Sequence, residues 1–261
     1  MKNSWIQCVV LAALAVAASA ALGNAFSGAA SQPGSLTFGG SSTGSYATVS
    51  LSTDSGGSYH NVLTGQFQGF FDPASEADAP GHEADDFFRF FCIELVQYAE
   101  AGPNTYTRNL GVPNATDSAE LTRLFNQFYP NGATGTYYSG GSQTNFGSFP
   151  DTNTAAAFQL AIWEIWFDTD NNLDLSTGAF RANGPSGVTS LAQSYLNAIG
   201  NGSTAAPGWT LYEFNSPSKQ DYLSVEHTGP LQQTPEPGTL ILLGVGAFAA
   251  WGTSKRHRKT A

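Results

Sequence analysis

Cysteine, histidine, lysine and charge of either sign are all scarce in this 261-residue chain. It has 2 cysteines and 4 histidines, and charged residues make up 11%, against about 25% in an average globular chain. The 10 basic residues are outnumbered by 20 acidic ones, for a formal net charge of −10. A surface of that sign repels polyanions, which excludes nucleic-acid binding through a basic patch. The chain also lacks a glycine loop placed to cradle phosphate, an H-E-x-x-H pair and a G-x-S-x-G elbow. Nucleotide hydrolysis, zinc proteolysis and α/β-hydrolase chemistry therefore have no visible machinery. Low charge does not here mean disorder, because aromatic residues reach 13% and disordered chains are poor in them. Gly, Ser, Thr and Asn fill the gap, a composition common in exported, strand-rich proteins.

The two ends are addresses. Lys2 precedes an uncharged apolar run from Trp5 to Ala18, and Ala18-Ser19-Ala20 offers a small-residue cleavage site, with Gly23-Asn24-Ala25 as a second. That order is a secretory signal peptide, assigned to residues 1–25. At the other end Pro235-Glu236-Pro237 precedes the uncharged stretch Gly238–Ser254, 17 residues and about the minimum for a membrane-crossing helix. Lys255, Arg256, Arg258 and Lys259 follow, and basic residues there stay on the cytoplasmic side. This tripartite tail resembles the PEP-CTERM sorting signal of Gram-negative bacteria that export polysaccharide. The resemblance implies an exosortase-type enzyme that recognises Pro-Glu-Pro and removes the tail. The expected layout is a signal over 1–25, a flexible Gly/Ser-rich segment over 26–44 and an extracellular domain over 45–228. A linker with the sorting motif (229–238), a transmembrane helix (239–254) and a basic cytoplasmic tail (255–261) complete it. Between Phe26 and Gly238 only 5 basic residues remain against 20 acidic, so the exported part is near −15.

Removal of the signal peptide takes Cys8 with it and leaves Cys92 alone, which excludes a disulfide framework. In the middle, Tyr46–Ser52 and Tyr59–Phe71 read as strands, and Asp86–Gln97 reads as a central strand that is apolar on both faces. Helical spacing follows at Leu121, Leu124, Phe125 and Phe128, ended by Pro130, with Asp117 or Ser118 as cap. A second helix carries Phe158, Ile162, Ile165 and Trp166, capped by Thr152 or Asn153. A third carries Leu191, Tyr195, Leu196 and Ile199 before Gly200, capped by Thr189 or Ser190. Trp209–Phe214 and Tyr222–Glu226 read as closing strands. The expected fold is α+β, a β-sandwich-like core with an inserted block of about three helices.

The chemistry-bearing feature joins two of these elements. Phe91-Cys92-Ile93 lies on the central strand, and Phe158-Gln159-Leu160-Ala161-Ile162-Trp163 opens the second helix. The pair resembles the signature of bacterial Cys-Gln thioester domains on Gram-positive surface adhesins. The resemblance implies that Cys92 supplies the thiol and Gln159 the carboxamide, framed by Phe91, Ile93, Phe158, Ala161, Ile162 and Trp163. Phe158 stands where that pattern has Thr. A thiolate that attacks the carboxamide expels ammonia and leaves an internal thioester, provided both side chains are held in attack geometry. Phe90, Phe91, Phe158, Trp163 and Trp166 can exclude water from such a bond. It implies a single-use covalent anchor to a surface polysaccharide or an amine-bearing protein, not a turnover enzyme. Lys219 is the only lysine between Phe26 and Gly238, so few internal amines compete.

Two other readings stay open. Cys92 can be a core cysteine in a non-reactive matrix protein, although Gln159 falls off the Phe158–Ile162–Ile165 face and packing alone does not call for it. Cys92 can also serve a secreted hydrolase, which needs a base from His60, His82 or His227, none of them in a recognisable motif. Asp168, Asp170, Asn172 and Asp174 alternate like the start of a calcium loop. Leu173 and Ala179 stand where an EF-hand has Gly and Glu, so a capped turn is expected and no metal or cofactor is assigned. The expectation is an exported cell-surface or exopolysaccharide-associated protein.

Overall fold

A computed structural model describes residues 31–42, 44–74, 86–130, 148–168, 170, 172–200 and 208–227. The signal peptide, the sorting motif, the 239–254 segment and the basic tail lie outside these residues, as does most of the acidic loop after Pro73. Among the described residues no helix is long and apolar enough to cross a membrane.

Strand β1 (Ser31–Ser41) pairs antiparallel with β4 (Phe67–Pro73) on one edge and with β6 (Gly102–Leu110) on the other. From β4 the ladder runs to β5 (Asp86–Cys92), then β9 (Tyr222–His227), then β8 (Trp209–Asn215), and back to β6. The six strands close a barrel in the order β1-β4-β5-β9-β8-β6, so that every strand has a neighbour on each side. A separate three-stranded sheet is formed by β3 (His60–Thr64), β2 (Ala47–Ser52) and β7 (Arg181–Asn183).

The β-rich core with three helices is as expected, its main sheet closing as a barrel, and two segments differ from their reading. The segment expected to be flexible supplies β1, the strand that closes the barrel. Its Gly/Ser composition hides a period of two, with Gln32, Gly34 and Leu36 buried. The glycines serve close packing against β4. A Cβ on Gly34 would collide with the Phe71 ring and the Asp72 carbonyl, and one on Gly69 with the Thr37 carbonyl. The Tyr59–Phe71 pattern is not one strand either. It breaks at Gly65-Gln66 into β3 and β4, which belong to different sheets.

Three helices sit between the strands, as the periodicity requires, but their caps lie earlier in sequence. Asn114 caps α1 (Ala115–Phe128), its side chain accepting from the Thr116 N–H at 2.9 Å. Asp151 caps α2 (Thr152–Phe167) in the same way, accepting from the Thr154 N–H at 2.9 Å. The third, α3 (Ser186–Gly200), starts right after Pro185. Helix α2 packs against α1, α3, β2 and β3. Every residue from Ala155 to Ile165 is consequently buried, so this helix has no solvent face there.

Candidate functional site at the end of strand β5

Strand β5 carries two opposed aromatic faces. Phe90 points into the barrel layer, 4.5 Å from the Tyr222 ring and 6.0 Å from Phe67. Phe91 points to the helices, with its ring 5.1 Å from Phe158 and 6.0 Å from Phe125. Phe158 in turn lies 5.0 Å from both Phe125 and Phe149 and 5.7 Å from Tyr129. Cys92 follows at the strand's last position and is fully buried. Alternation sets its side chain on the Phe90 face, beside its cross-strand partner Tyr222.

The β4–β5 ladder ends at Phe67↔Phe90, two residues before Cys92, whereas β9 continues alongside to Cys92↔Tyr222. On the open edge Gln159 takes over. Its Oε1 accepts from the Cys92 N–H at 2.9 Å, and its Nε2 donates to the Cys92 carbonyl at 2.8 Å. One carboxamide thus satisfies both main-chain groups of Cys92, as a strand would. Both residues are 0% exposed. The helical-face argument that set Gln159 apart from packing does not survive, because α2 is buried all round.

The framing residues fall around this pair. Phe91, Phe158, Ala161, Ile162 and Trp163 are buried, and so is Ile93, whose N–H donates to the Asp221 carbonyl at 3.1 Å. Trp166, named as a further shield, is only partly buried at the edge of the core. Residues 93–97, expected to extend the strand, instead leave the sheet and are tied from the β8–β9 turn. Gln220 donates through Nε2 to the Glu94 carbonyl at 2.6 Å and through its backbone N–H to the Tyr98 carbonyl at 3.3 Å. The Tyr106 hydroxyl donates to the Gln220 carbonyl at 2.9 Å. Neither Tyr106 nor Gln220 stood out in the sequence. Strand β6 has only Tyr106 and Arg108 as fully buried alternating positions, and Gln220 sits in a polar run with nothing to signal burial.

Two half-buried carboxylates, Glu94 and Asp221, and a buried one, Glu213, flank this tie. Burial pushes Glu94 and Glu213 upward, and the charge of Asp221 adds to it in both. Burial also raises Asp221, partly offset by the Ser216 N–H and the Asn215 side chain. A carboxyl whose folded pKa is raised binds its proton more tightly in the folded state. Its contribution to stability is complete below the ordinary carboxylate range and is lost as pH rises through the raised value. Glu213→Gln is therefore expected to flatten the fall in melting temperature between pH 4.5 and pH 7.5, measured against the unaltered protein. An unchanged slope would contradict this electrostatic assignment.

Lys219, the one lysine of the exported region, is ion-paired with Glu100 on this same tie. His60, offered as a base, lies on β3, away from β5 in the separate sheet. His82 lies outside the described residues, and His227 ends β9.

The sequence matches the family described as PEP-CTERM protein-sorting motif over residues 233–258. No curated protein matches the chain. Among solved structures, the N-terminal domain of the Streptococcus pyogenes pilus tip adhesin Cpa is similar at 13% identity, over 69% of this chain and 93% of that one. Its TM-score of 0.35 is too low to inform the fold or the site. The sorting motif does inform the protein's route: the chain is an exported exosortase substrate, held in the membrane transiently before processing.

Proposed function

We propose that this exported protein attaches covalently to a partner through an internal thioester between Cys92 and Gln159, at the cell surface or in the exopolysaccharide matrix. The observation that carries the reading is the two-point docking of the Gln159 carboxamide on the Cys92 backbone, inside a fully buried aromatic enclosure. This docking fixes the carboxamide against the Cys92 backbone, so that the thiol, set by alternation on the Phe90 face, has only to turn toward a tethered carbon to attack it.

The chemistry balances without a cofactor. The Cys92 sulfur forms a bond to the Gln159 Cδ, the Cδ–Nε2 bond breaks, and the thiol proton leaves with ammonia. The Cys92 N–H already donates to Oε1, so it stabilises the negative charge that this oxygen acquires as the sulfur attacks. A primary amine of the partner then attacks the same carbon. An amide to Gln159 forms and the Cys92 thiol is released. The acidic exported domain favours a neutral or cationic partner over an anionic one.

Treatment with methylamine tests this reading. The expected result is a methylamide at Gln159 in peptide maps, together with one newly titratable thiol at Cys92. Neither product forms in Cys92→Ala. Absence of both in the unaltered protein would defeat the proposal.

One observation favours a second reading, a non-reactive matrix protein with the same address. The Gln159 carboxamide stands where β4 would otherwise pair, and capping an open strand edge is by itself reason for a buried Gln.

A further inference from the structure

We propose that Glu164 and Asp168, together with Asp170 and Asp174 of the turn that follows α2, bind a single calcium ion.

A run of alternating acids after a helix is ordinarily a solvated, self-capped turn. Glu164 sets this one apart. It is 0% exposed, and among the described residues no hydrogen bond of good geometry reaches either carboxylate oxygen, the Asp174 N–H being only a weak partner. The Oδ2 of Asp168 is likewise buried and unpartnered. The two residues are one helical turn apart on the same face of α2, joined by the Asp168 N–H donating to the Glu164 carbonyl at 3.0 Å. The turn then folds back over them. The Ala179 N–H reaches Asp168 Oδ1 at 3.3 Å, and Gly178, at φ 76°, lies so close that a Cβ there would collide with Asp168 Oδ2.

A fully buried carboxylate on Glu164 beside the half-buried Asp168, whose Oδ1 alone accepts from the Ala179 and Asp170 N–H groups, is costly as an anion unless a cation joins the two. No basic side chain of the described residues supplies one. Among the described residues the salt bridges are Arg123–Glu120 and Lys219–Glu100, neither of them at this turn. Arg181, the basic residue next to the turn, donates through Nε to the Gly178 carbonyl at 3.2 Å instead.

The donor set selects the ion. Its oxygens are all carboxylate or amide, with no thiol or imidazole, which suits a hard cation. A carboxylate able to bind through both oxygens, joined by loop carboxylates, suits calcium better than octahedral magnesium. Leu173 and Ala179 still fail the EF-hand pattern, but here the bidentate carboxylate comes from the helix before the loop. Among the described residues no three acidic, imidazole or thiol groups already converge at ligand distance. Binding therefore draws in the exposed Asp170 and half-buried Asp174, and locks the end of the helix that carries Gln159.

Thermal unfolding of the purified full chain tests this, in excess EGTA and across a CaCl2 titration at constant ionic strength, with MgCl2 in parallel. Extracellular calcium modules bind at about 10⁻⁴–10⁻³ M. At tenfold excess over half-saturation the expected rise in melting temperature is about 3–6 °C. The rise is absent from Glu164→Gln and Asp170→Asn and retained in Glu100→Gln. Should Glu164→Gln not fold, Asp170→Asn decides alone, since Asp170 is exposed. No saturable rise in the unaltered protein, an equal rise with MgCl2, or an undiminished rise in Asp170→Asn would overturn the calcium site.

Discussion

Phe158→Ala is expected to destabilise the domain by about 3–5 kcal/mol, a fall in melting temperature on the order of 10 °C. The Phe158 ring is 0% exposed and contacts Phe91, Phe125, Tyr129, Phe149 and Tyr195. Its removal leaves a cavity lined by rings from β5, α1 and α3, elements that cannot all close on the gap. Such a loss is felt in full because interiors are packed to crystal density. Thermal denaturation followed by circular dichroism measures it. A cost under about 1 kcal/mol would show that this enclosure collapses freely and is not the rigid shield assigned to it.

Gln159→Ala is expected to cost about 2–5 kcal/mol, because it strands the buried N–H and carbonyl of Cys92 at roughly 1–3 kcal/mol each. Cys92→Ala is the informative contrast. It removes the thiol but leaves the main-chain pairing with Gln159 intact, so its cost stays near about 1 kcal/mol. The two variants thereby separate the architectural role of Gln159 from any chemical one. Both abolish a thioester, and only one unpins the strand end. Equal destabilisation by the two, measured by urea unfolding, would contradict the carboxamide-as-strand account.

How much of this was legible in the sequence depends on how local each signal is. The helices were, because Leu121, Leu124 and Phe125 or Leu191, Tyr195 and Ile199 repeat at helical spacing regardless of what they pack against. Their caps were misplaced by a few residues, since Asn114 and Asp151 compete with equally good candidates just downstream. The barrel was not legible. Closure depends on β1 meeting β6, a pairing set by strands some seventy residues apart, and β1 hides its alternation behind Gly and Ser. The contact of Cys92 with Gln159 was foreseen from two short motifs. Its form was not, since only the early end of β4 makes the Cys92 backbone need a partner. The role offered for Glu164 was out of reach, because a Glu within an apolar helix says nothing about the turn that folds back on it.

The most direct measurement of the central claim is the intact mass of the purified protein, referred to its mapped N- and C-terminal ends. The thioester account predicts a mass lower by one molecule of ammonia than the sequence between those ends. The deficit sits in a peptide pair joining Cys92 to Gln159, and Cys92→Ala shows its full mass. A full mass in the unaltered protein, with the Cys92 thiol titrating once the chain is unfolded, would contradict the account and leave Gln159 a strand substitute.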